Sequence, residues 1–368
     1  MRILLMGEYS NVHWTLAEGL RALGHQVTVL SNGDFFKDYP RDIDLVRQLS
    51  TMGGVKYVAR LLRFLPQLKG YDVVQLINPM FLELKAGRIK PVYHYLRRHN
   101  RSMFLGAFGM DYYWVHENDT RKPLRYSDFN IGNQLRHNAD AEKERRDWLG
   151  TDKERLNKLI AADCDGIISG LYEYMACYEP VFPQKTTFIP FPIMPKDNVH
   201  VEEKQPGEKV RLFIGVNRER SEYKGTDIML RAARRVASDY PDKVELRVAE
   251  NVPFKQYVEM MNGSDAILDQ LYSYTPSMNP LEAMSRGLIC VGGGEPENYE
   301  ILGEKELRPI INVEPNEQSV YSQLEQLVLH PERIGELKRQ SVEYIRRHHD
   351  YRKVARQYLD FYVAKGNL

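Results

Sequence analysis

Short apolar runs alternate with amphipathic segments along most of the chain. Arg2 to Met6 reads as a buried strand, Gly7 to Asn11 as a loop, and His13 to Leu23 as a helix, with Leu16, Leu20 and Leu23 on one side and Gly24 as its C-cap. Gln26 to Leu30 is a second strand, so the chain opens with a βαβ unit and predicts a parallel sheet with right-handed crossovers. From 55 to 68 the apolar positions 55, 58, 61, 62, 65 and 68 predict a helix with one buried face. Strands follow at 72–77 and 102–107 around a basic helix at 87–99. A long polar and aromatic loop reaches about Gly132, and a charged helical run covers 138–157. Strand 163–169, helix 171–178 and strand 186–189 close the first half.

Prolines 190, 192, 195 and 206 mark a linker at about 190–208. The pattern then restarts with strand 210–215, helix 225–238, strand 244–249, helix 253–261 and strand 265–268. Next come a polar loop, a short helix opened by Asn279-Pro280 and closed by Gly287, an apolar strand and a glycine run to Gly294. Residues 309–313 complete the sheet, and 318–349 is helical with a break near His330-Pro331. The expected architecture is α/β with two Rossmann-like domains, 1–190 and 209–350, and a C-terminal helix over 351–368 able to pack back on the first. No internal period supports a repeat array.

Composition narrows the partners. Lys and Arg total 51 against 50 Asp and Glu, so no global charge points to nucleic acid. Cys164, Cys177 and Cys290 are scattered in apolar surroundings and fit a reducing compartment. No apolar stretch approaches the roughly 20 residues of a membrane span, so a cytoplasmic protein, soluble or peripheral at the inner membrane face, is expected. Ten Lys and Arg between Lys56 and Arg101 face only Asp72 and Glu83, a local excess of eight. That stretch is either a solvated helix face or a patch for anionic lipid or an anionic acceptor. Asp42-Ile43-Asp44 and Asp163-Cys164-Asp165 match Asp-x-Asp but lie in a polar connection and at a strand entry, so no metal or other cofactor is expected.

Two features converge on phosphate. A strand ends at Gly215 and leads into a charged loop carrying Arg218, Arg220 and Lys224 before the helix at Gly225. The other is the helix starting at Asn279-Pro280, whose N–H groups and dipole suit an anion. Both also have plain structural readings: an exposed loop laced with Glu219 and Glu222, and a capping box of Asn279 with Glu282. Glu282 alternatively accepts hydrogen bonds from the vicinal hydroxyls of a ribose.

Asp-Gln-Leu at 269–271, Leu-Glu-Ala-Met-Ser-Arg-Gly-Leu-Ile-Cys-Val at 281–291, the upstream Lys224-Gly225 helix start, Ala-Leu-Gly-His-Gln-Val-Thr-Val at 22–29 and Gly109-Met110-Asp111 together resemble glycosyltransferase family 4. Its members are retaining enzymes of the GT-B fold, with two Rossmann-like domains facing a central cleft. The resemblance implies Glu282 on the donor ribose, Lys224 with Arg218 or Arg220 on the donor phosphates, and Ser277, Met278 and Asn279 against the sugar or phosphates. A family glutamate eight positions before Glu282 is replaced by Tyr274, which can contact a sugar but supplies no carboxylate. Gly7, Glu8, His13 and Asp111 are expected on the acceptor side. His13, Asp111 and Lys224 are the catalytic candidates, with helix-start and loop-cap readings standing beside the first two. The implied activity is metal-independent transfer from a nucleotide diphosphate sugar to a saccharide or lipid-linked acceptor in polysaccharide assembly. A non-catalytic GT-B scaffold with a decayed donor site, and an epimerase on the same fold, are the alternatives.

Overall fold

Strands that are apolar at every position form where both faces of a sheet are covered. In the computed structural model, which describes residues 1–201, 203–205 and 207–366, Ile3, Leu4, Leu5 and Met6 of β1 (Arg2–Met6) are all wholly buried. Residues 202 and 206 of the expected linker, and 367–368 of the expected C-terminal segment, lie outside the described residues. The chain divides into two units, 1–123 with 143–192 and 351–368, and 124–142 with 193–350.

In the first unit β1 is followed by α1 (Val12–Ala22), β2 (Gln26–Ser31), β3 (Ile43–Asp44), α2 (Gly53–Phe64), β4 (Val73–Leu76), α3 (Ala86–His99), β5 (Ser102–Ala107) and α4 (Tyr112–Thr120). Beyond a small hairpin of β6 (Asn130–Ile131) and β7 (Gln134–Leu135) come α5 (Ala139–Trp148), α6 (Asp152–Asp163), β8 (Gly166–Ser169), α7 (Tyr172–Tyr178) and β9 (Thr186–Phe188). The seven-stranded sheet is ordered β3-β2-β1-β4-β5-β8-β9 and every pair is parallel. The charged run 138–157 is split into α5 and α6 by Gly150, at φ +71°, and by Thr151, which caps α6.

The second unit carries β10 (Val210–Val216), α8 (Ser221–Lys224), α9 (Thr226–Asp239), β11 (Val244–Glu250), α10 (Phe254–Met261), β12 (Ala266–Leu268), α11 (Met278–Ser285), β13 (Ile289–Gly292), α12 (Pro296–Leu302), β14 (Ile311–Asn312), α13 (Glu317–Leu329) and α14 (Ile334–Tyr344). Its parallel sheet runs β11-β10-β12-β13-β14. Successive residues of β10 point to opposite faces. Leu212, Ile214 and Val216 join a core with Met229, Val236 and Leu324, and Phe213 joins another with Met261, Ala283 and Leu288.

Residues 124–142, which the apolar pattern assigned to the first domain, group with the second unit. Strands of two residues carry no readable period, so the β6–β7 hairpin was invisible in the sequence. A second correction concerns α2. Val55 and Leu62, expected on its inner face, are 62% and 58% exposed, while Leu61 and Leu68, expected there too, are buried together with Tyr57.

The C-terminal helix α15 (Tyr351–Lys365) belongs to the first unit and packs along α1. Gly19 permits the approach, since a Cβ there would lie 2.3 Å from the Tyr351 carbonyl oxygen. A buried polar line anchors the far end. The Tyr362 hydroxyl donates to Gln75 Oε1, and Gln75 Nε2 meets His13 Nε2 at 3.2 Å. Tyr362→Phe should therefore lower the stability of the first unit by about 1–3 kcal/mol, the cost of stranding a buried acceptor. Val363→Ala, at an exposed position on the same helix, should stay within about 0.5 kcal/mol of wild type in urea unfolding.

Candidate functional site

In an open parallel sheet, ligands bind beyond the carboxyl ends of the strands where the strand order reverses. In the second unit that point lies between β10 and β12, because β11 pairs with the other edge of β10. Val216 ends β10, and Asn217 follows with its side chain accepting the Glu219 N–H at 3.0 Å. Arg218 and Arg220 are exposed on this turn. Arg218 pairs with Glu250 at the end of β11, and the Arg220 guanidinium lies 5.2 Å from the Tyr223 ring centre. Lys224 ends α8, and its carbonyl accepts the Leu271 N–H at 3.0 Å, tying this turn to the loop after β12. Gly225 makes that junction possible. It sits at φ +73°, and a Cβ would lie 2.5 Å from Leu271 Cβ.

Across the switch point, α11 begins at Met278 with Ser277 at the N-cap position. The expected start, with Asn279 as N-cap and Pro280 first in the helix, is thus two residues late, and Pro280 stands third in the helix, where its missing N–H removes one anion donor. The Met278 and Asn279 N–H groups remain without intrahelical acceptors. Asp269 stands beside this end. Ser277 Oγ lies 3.3 Å from Asp269 Oδ2, and Asn279 Nδ2 donates to Asp269 Oδ1 at 3.1 Å. A carboxylate already occupies the side of the helix terminus, so the cations after β10 suit an anion better than this helix end does. The expected closure at Gly287 holds. The Leu288 N–H reaches the Ala283 carbonyl and the Gly287 N–H that of Met284, with Gly287 at φ +82°.

Glu282 makes no capping box. No side chain caps α11, and its carboxylate instead pairs with Lys196 and Arg286, each at 2.9 Å. The side chain is about one-third exposed. An ion pair this exposed contributes about 0–1 kcal/mol, so a polar ligand can displace it. Lys196 was missed because its partner lies far along the chain and Asp269 because its partners lie across the loop after β12, whereas Arg286 stands four residues after Glu282, a helical spacing that could have found it.

Tyr274 was read as a donor contact. It is 1% exposed, and its hydroxyl accepts the N–H groups of Arg125 and Tyr126 at 2.7 and 3.3 Å. Its ring packs against Tyr126, with centres 4.8 Å apart. Segment 124–142 is fastened here. Arg125 bridges Glu295, at 2.7 Å, and Glu297, while the Tyr126 hydroxyl donates to Glu295. Arg136 of the same segment lies 3.6 Å from the Tyr272 ring centre and donates to the carbonyls of Glu222, at 2.8 Å, and Tyr223, at 3.3 Å. Those carbonyls immediately precede Lys224, so Arg136 holds the turn that presents it.

In the first unit the candidate residues are absorbed by the fold. Gly7 has φ +86°, and a Cβ there would lie 2.3 Å from Ile77 Cγ2. Glu8 is buried and accepts the N–H groups of His13 and Trp14 at 3.1 and 2.9 Å, capping α1; burial pushes its carboxyl up to about 8. His13 is wholly buried. Its Nδ1 lies 2.9 Å from the Gly7 carbonyl, which can only accept, so Nδ1 carries the proton and Nε2 accepts from Gln75. Burial lowers its pKa to about 3. Asp111 is the N-cap of α4, taking the Trp114 N–H at 2.9 Å and the Tyr178 hydroxyl at 2.7 Å, and burial raises it to about 7. His13 and Asp111 thus each hold a buried position with scaffold partners, which matches the helix-start and loop-cap readings. The side chains partly open at the end of β1 are Tyr9, Ser10, Asn11 and Trp14.

The Asp-x-Asp pairs are engaged in the scaffold. Asp42 holds Arg21 and the Val29 N–H, and Asp165 holds Arg97 and the Met103 N–H. Among the described residues no group of three or more His, Cys, Asp or Glu could hold a metal ion.

Residues 215–360 match a family described as glycosyl transferase-like. No curated protein sequence matches the chain. Among solved structures, sucrose-phosphate synthase from Thermosynechococcus elongatus has a TM-score of 0.61 at 13% identity, covering 99% of this chain and 98% of its own. HepE from Anabaena, in complex with UDP and glucose, has a TM-score of 0.58 at 12% identity, covering 99% and 100%. UDP-GlcNAc 2-epimerase from Neisseria meningitidis, bound to UDP-GlcNAc, gives 0.54 at 13% identity over 99% and 100%. The chain has the GT-B fold of these glycosyltransferases.

Two measurements check these assignments. Tyr274→Phe strands the Arg125 and Tyr126 N–H groups and should cost about 1–3 kcal/mol. Amide hydrogen exchange should speed up within 124–142 and stay unchanged in β1 and β4. The second concerns pH. A His held neutral in the fold, with its pKa lowered to about 3, supplies stability above its unfolded value of about 6.5 that is lost as pH falls toward 3. Glu8 and Asp111, raised by burial, act with the opposite sign over part of the same window, so the signature is a difference. The stability advantage of wild type over His13→Gln should shrink by about 2 kcal/mol from pH 7 to pH 5 in urea unfolding.

Proposed function

We propose that the chain is a glycosyltransferase that moves a sugar from a nucleotide diphosphate donor onto a hydroxyl of a saccharide or lipid-linked acceptor. The observation that carries this reading is the set Arg218, Arg220 and Lys224 following β10 at the switch point, with a displaceable carboxylate, Glu282, on α11. A departing nucleoside diphosphate develops negative charge, and side-chain cations stabilise it as it forms. Lys224 is the principal phosphate ligand in this scheme, Glu282 the ribose ligand, and the Met278 and Asn279 N–H groups secondary donors.

The cations supply the neutralisation, so the proposed reaction needs no metal and no cofactor beyond its donor. Membership of glycosyltransferase family 4, retention of configuration and hexosyl transfer extend from the sequence resemblance. The nucleotide-sugar complexes among proteins of this fold support the donor class. We place the enzyme in surface polysaccharide or glycoconjugate synthesis, cytoplasmic and peripheral to the inner membrane face, with the first unit on the acceptor side. One observation favours the scaffold reading instead: Tyr274, where the resemblance implies a sugar-binding glutamate, is consumed by segment 124–142.

Calorimetric titration with UDP, GDP and ADP tests the donor site. Lys224→Ala should weaken diphosphate binding by roughly 10- to 100-fold, equivalent to a charge-assisted hydrogen bond, and leave uridine or guanosine binding unchanged. Glu282→Gln should weaken nucleoside binding by roughly tenfold. If no nucleotide binds, the transferase reading fails. Binding with no acceptor-dependent sugar release, across a panel of nucleotide sugars and saccharides, selects the scaffold.

A further inference from the structure

Helix α2 carries two apolar stripes, and only one is covered. The inner stripe, Gly53, Tyr57 and Leu61, is buried. Steps of three and four residues place Met52, Val55, Ala59 and Leu62 along a second line on the opposite side. All four are exposed, Met52 at 57%, and Leu49 just before them is fully exposed. Lys56, Arg60 and Arg63 follow the same spacing one residue further round, also exposed; Arg60 lies 3.8 Å from Asp44, an exposed pair that a headgroup can replace. The helix contains no acidic residue.

The charge continues on the neighbouring helix. The Tyr95 hydroxyl donates to the Leu65 carbonyl at 2.9 Å, so α3 lies beside the end of α2, and Lys85, Arg88, Lys90 and Arg98 are exposed on or next to it. Arg97 is excluded, being paired with Asp165. An apolar line flanked by cations is the pattern of a helix lying in the plane of a membrane interface: the apolar side chains enter the acyl boundary and the cations meet anionic headgroups. A second copy of the chain is a poor occupant, since a two-fold contact would oppose the same cations.

We infer that α2 is an interfacial helix that docks the first unit on an anionic lipid surface, with Leu49, Met52, Val55, Ala59 and Leu62 inserted and Lys56, Arg60 and Arg63 on the headgroups. This surface shares no residue with the proposed donor site, so the inference stands or falls independently of it.

Co-sedimentation of the full chain with phosphatidylcholine vesicles, with or without phosphatidylglycerol, tests it. Binding is expected only with phosphatidylglycerol and should weaken with added NaCl. Replacing Lys56, Arg60 and Arg63 together by Ala should reduce binding on the order of a hundredfold, and Leu62→Glu by roughly tenfold or more. Neither should move the unfolding midpoint, because all four side chains are exposed. Val55→Trp adds a direct reading: its emission should shift to the blue on adding phosphatidylglycerol vesicles and stay put with phosphatidylcholine alone. Equal binding to both vesicle types, unaltered binding by the variants, or an unshifted emission would overturn the inference. A lipid-independent dimer that Leu62→Glu dissociates would assign the face to a second copy instead.

Discussion

Parallel pairing on both sides of a central strand is the constraint from which this protein's chemistry follows. A strand paired on both edges and covered on both faces has no free backbone polar group along its length. Polar side chains can then collect only at its ends. β10 is such a strand, between β11 and β12, and β1 is its counterpart between β2 and β4. The two ends are used differently. After β10 the chain places three cations in or near solvent. After β1 it places Glu8 and His13 inside, one to cap α1 and the other to join Gly7 through Gln75 to the C-terminal helix.

That difference explains which parts of the site were legible in the sequence. The strands were visible because a doubly covered parallel strand is continuously apolar, and α1, α3, α9, α13 and α15 because each is long enough to show its period. The cationic turn and Glu282 were visible as residue types at a strand end and in a helix start. What could not be read was direction. Glu8 and Asp111 look the same in a sequence whether they face a ligand or cap a helix, and only burial separates the two. The same ambiguity misplaced α2. A helix with apolar residues on both sides offers more than one consistent stripe, and of the expected positions 55, 58, 61, 62, 65 and 68 the buried ones are 61, which lies on the covered stripe with 53 and 57, and 68.

Tyr274 changes meaning most. Read against the family it resembles, it marks a missing carboxylate. In the fold it anchors a distant segment, because its hydroxyl is the acceptor on which the backbone of Arg125 and Tyr126 is hung. Segment 124–142 lies far from Tyr274 along the chain, so no local pattern could join them. Once joined, the segment also accounts for Arg136, whose guanidinium stacks on Tyr272 and holds the carbonyls just before Lys224. The residue that stands where the resembled family has a glutamate is therefore the anchor of this segment.

The energetics of the remaining charges separate scaffold from site. Asp265 is buried between Lys204 and Lys338, each at 2.6 Å, and these cations hold its carboxyl below the usual range against the cost of burial. Removing one partner there leaves an uncompensated interior charge, which costs about 3–5 kcal/mol. Such a triad fixes the start of β12 and exchanges with nothing. Glu282 and Arg218 are paired too, but in solvent, where the pair is worth about 1 kcal/mol or less. A phosphate or a ribose hydroxyl can replace those partners at little cost and add contacts of its own. The proposed donor site therefore draws on the weakly paired charges at the ends of β10 and in α11, and the strongly paired ones keep those ends in place.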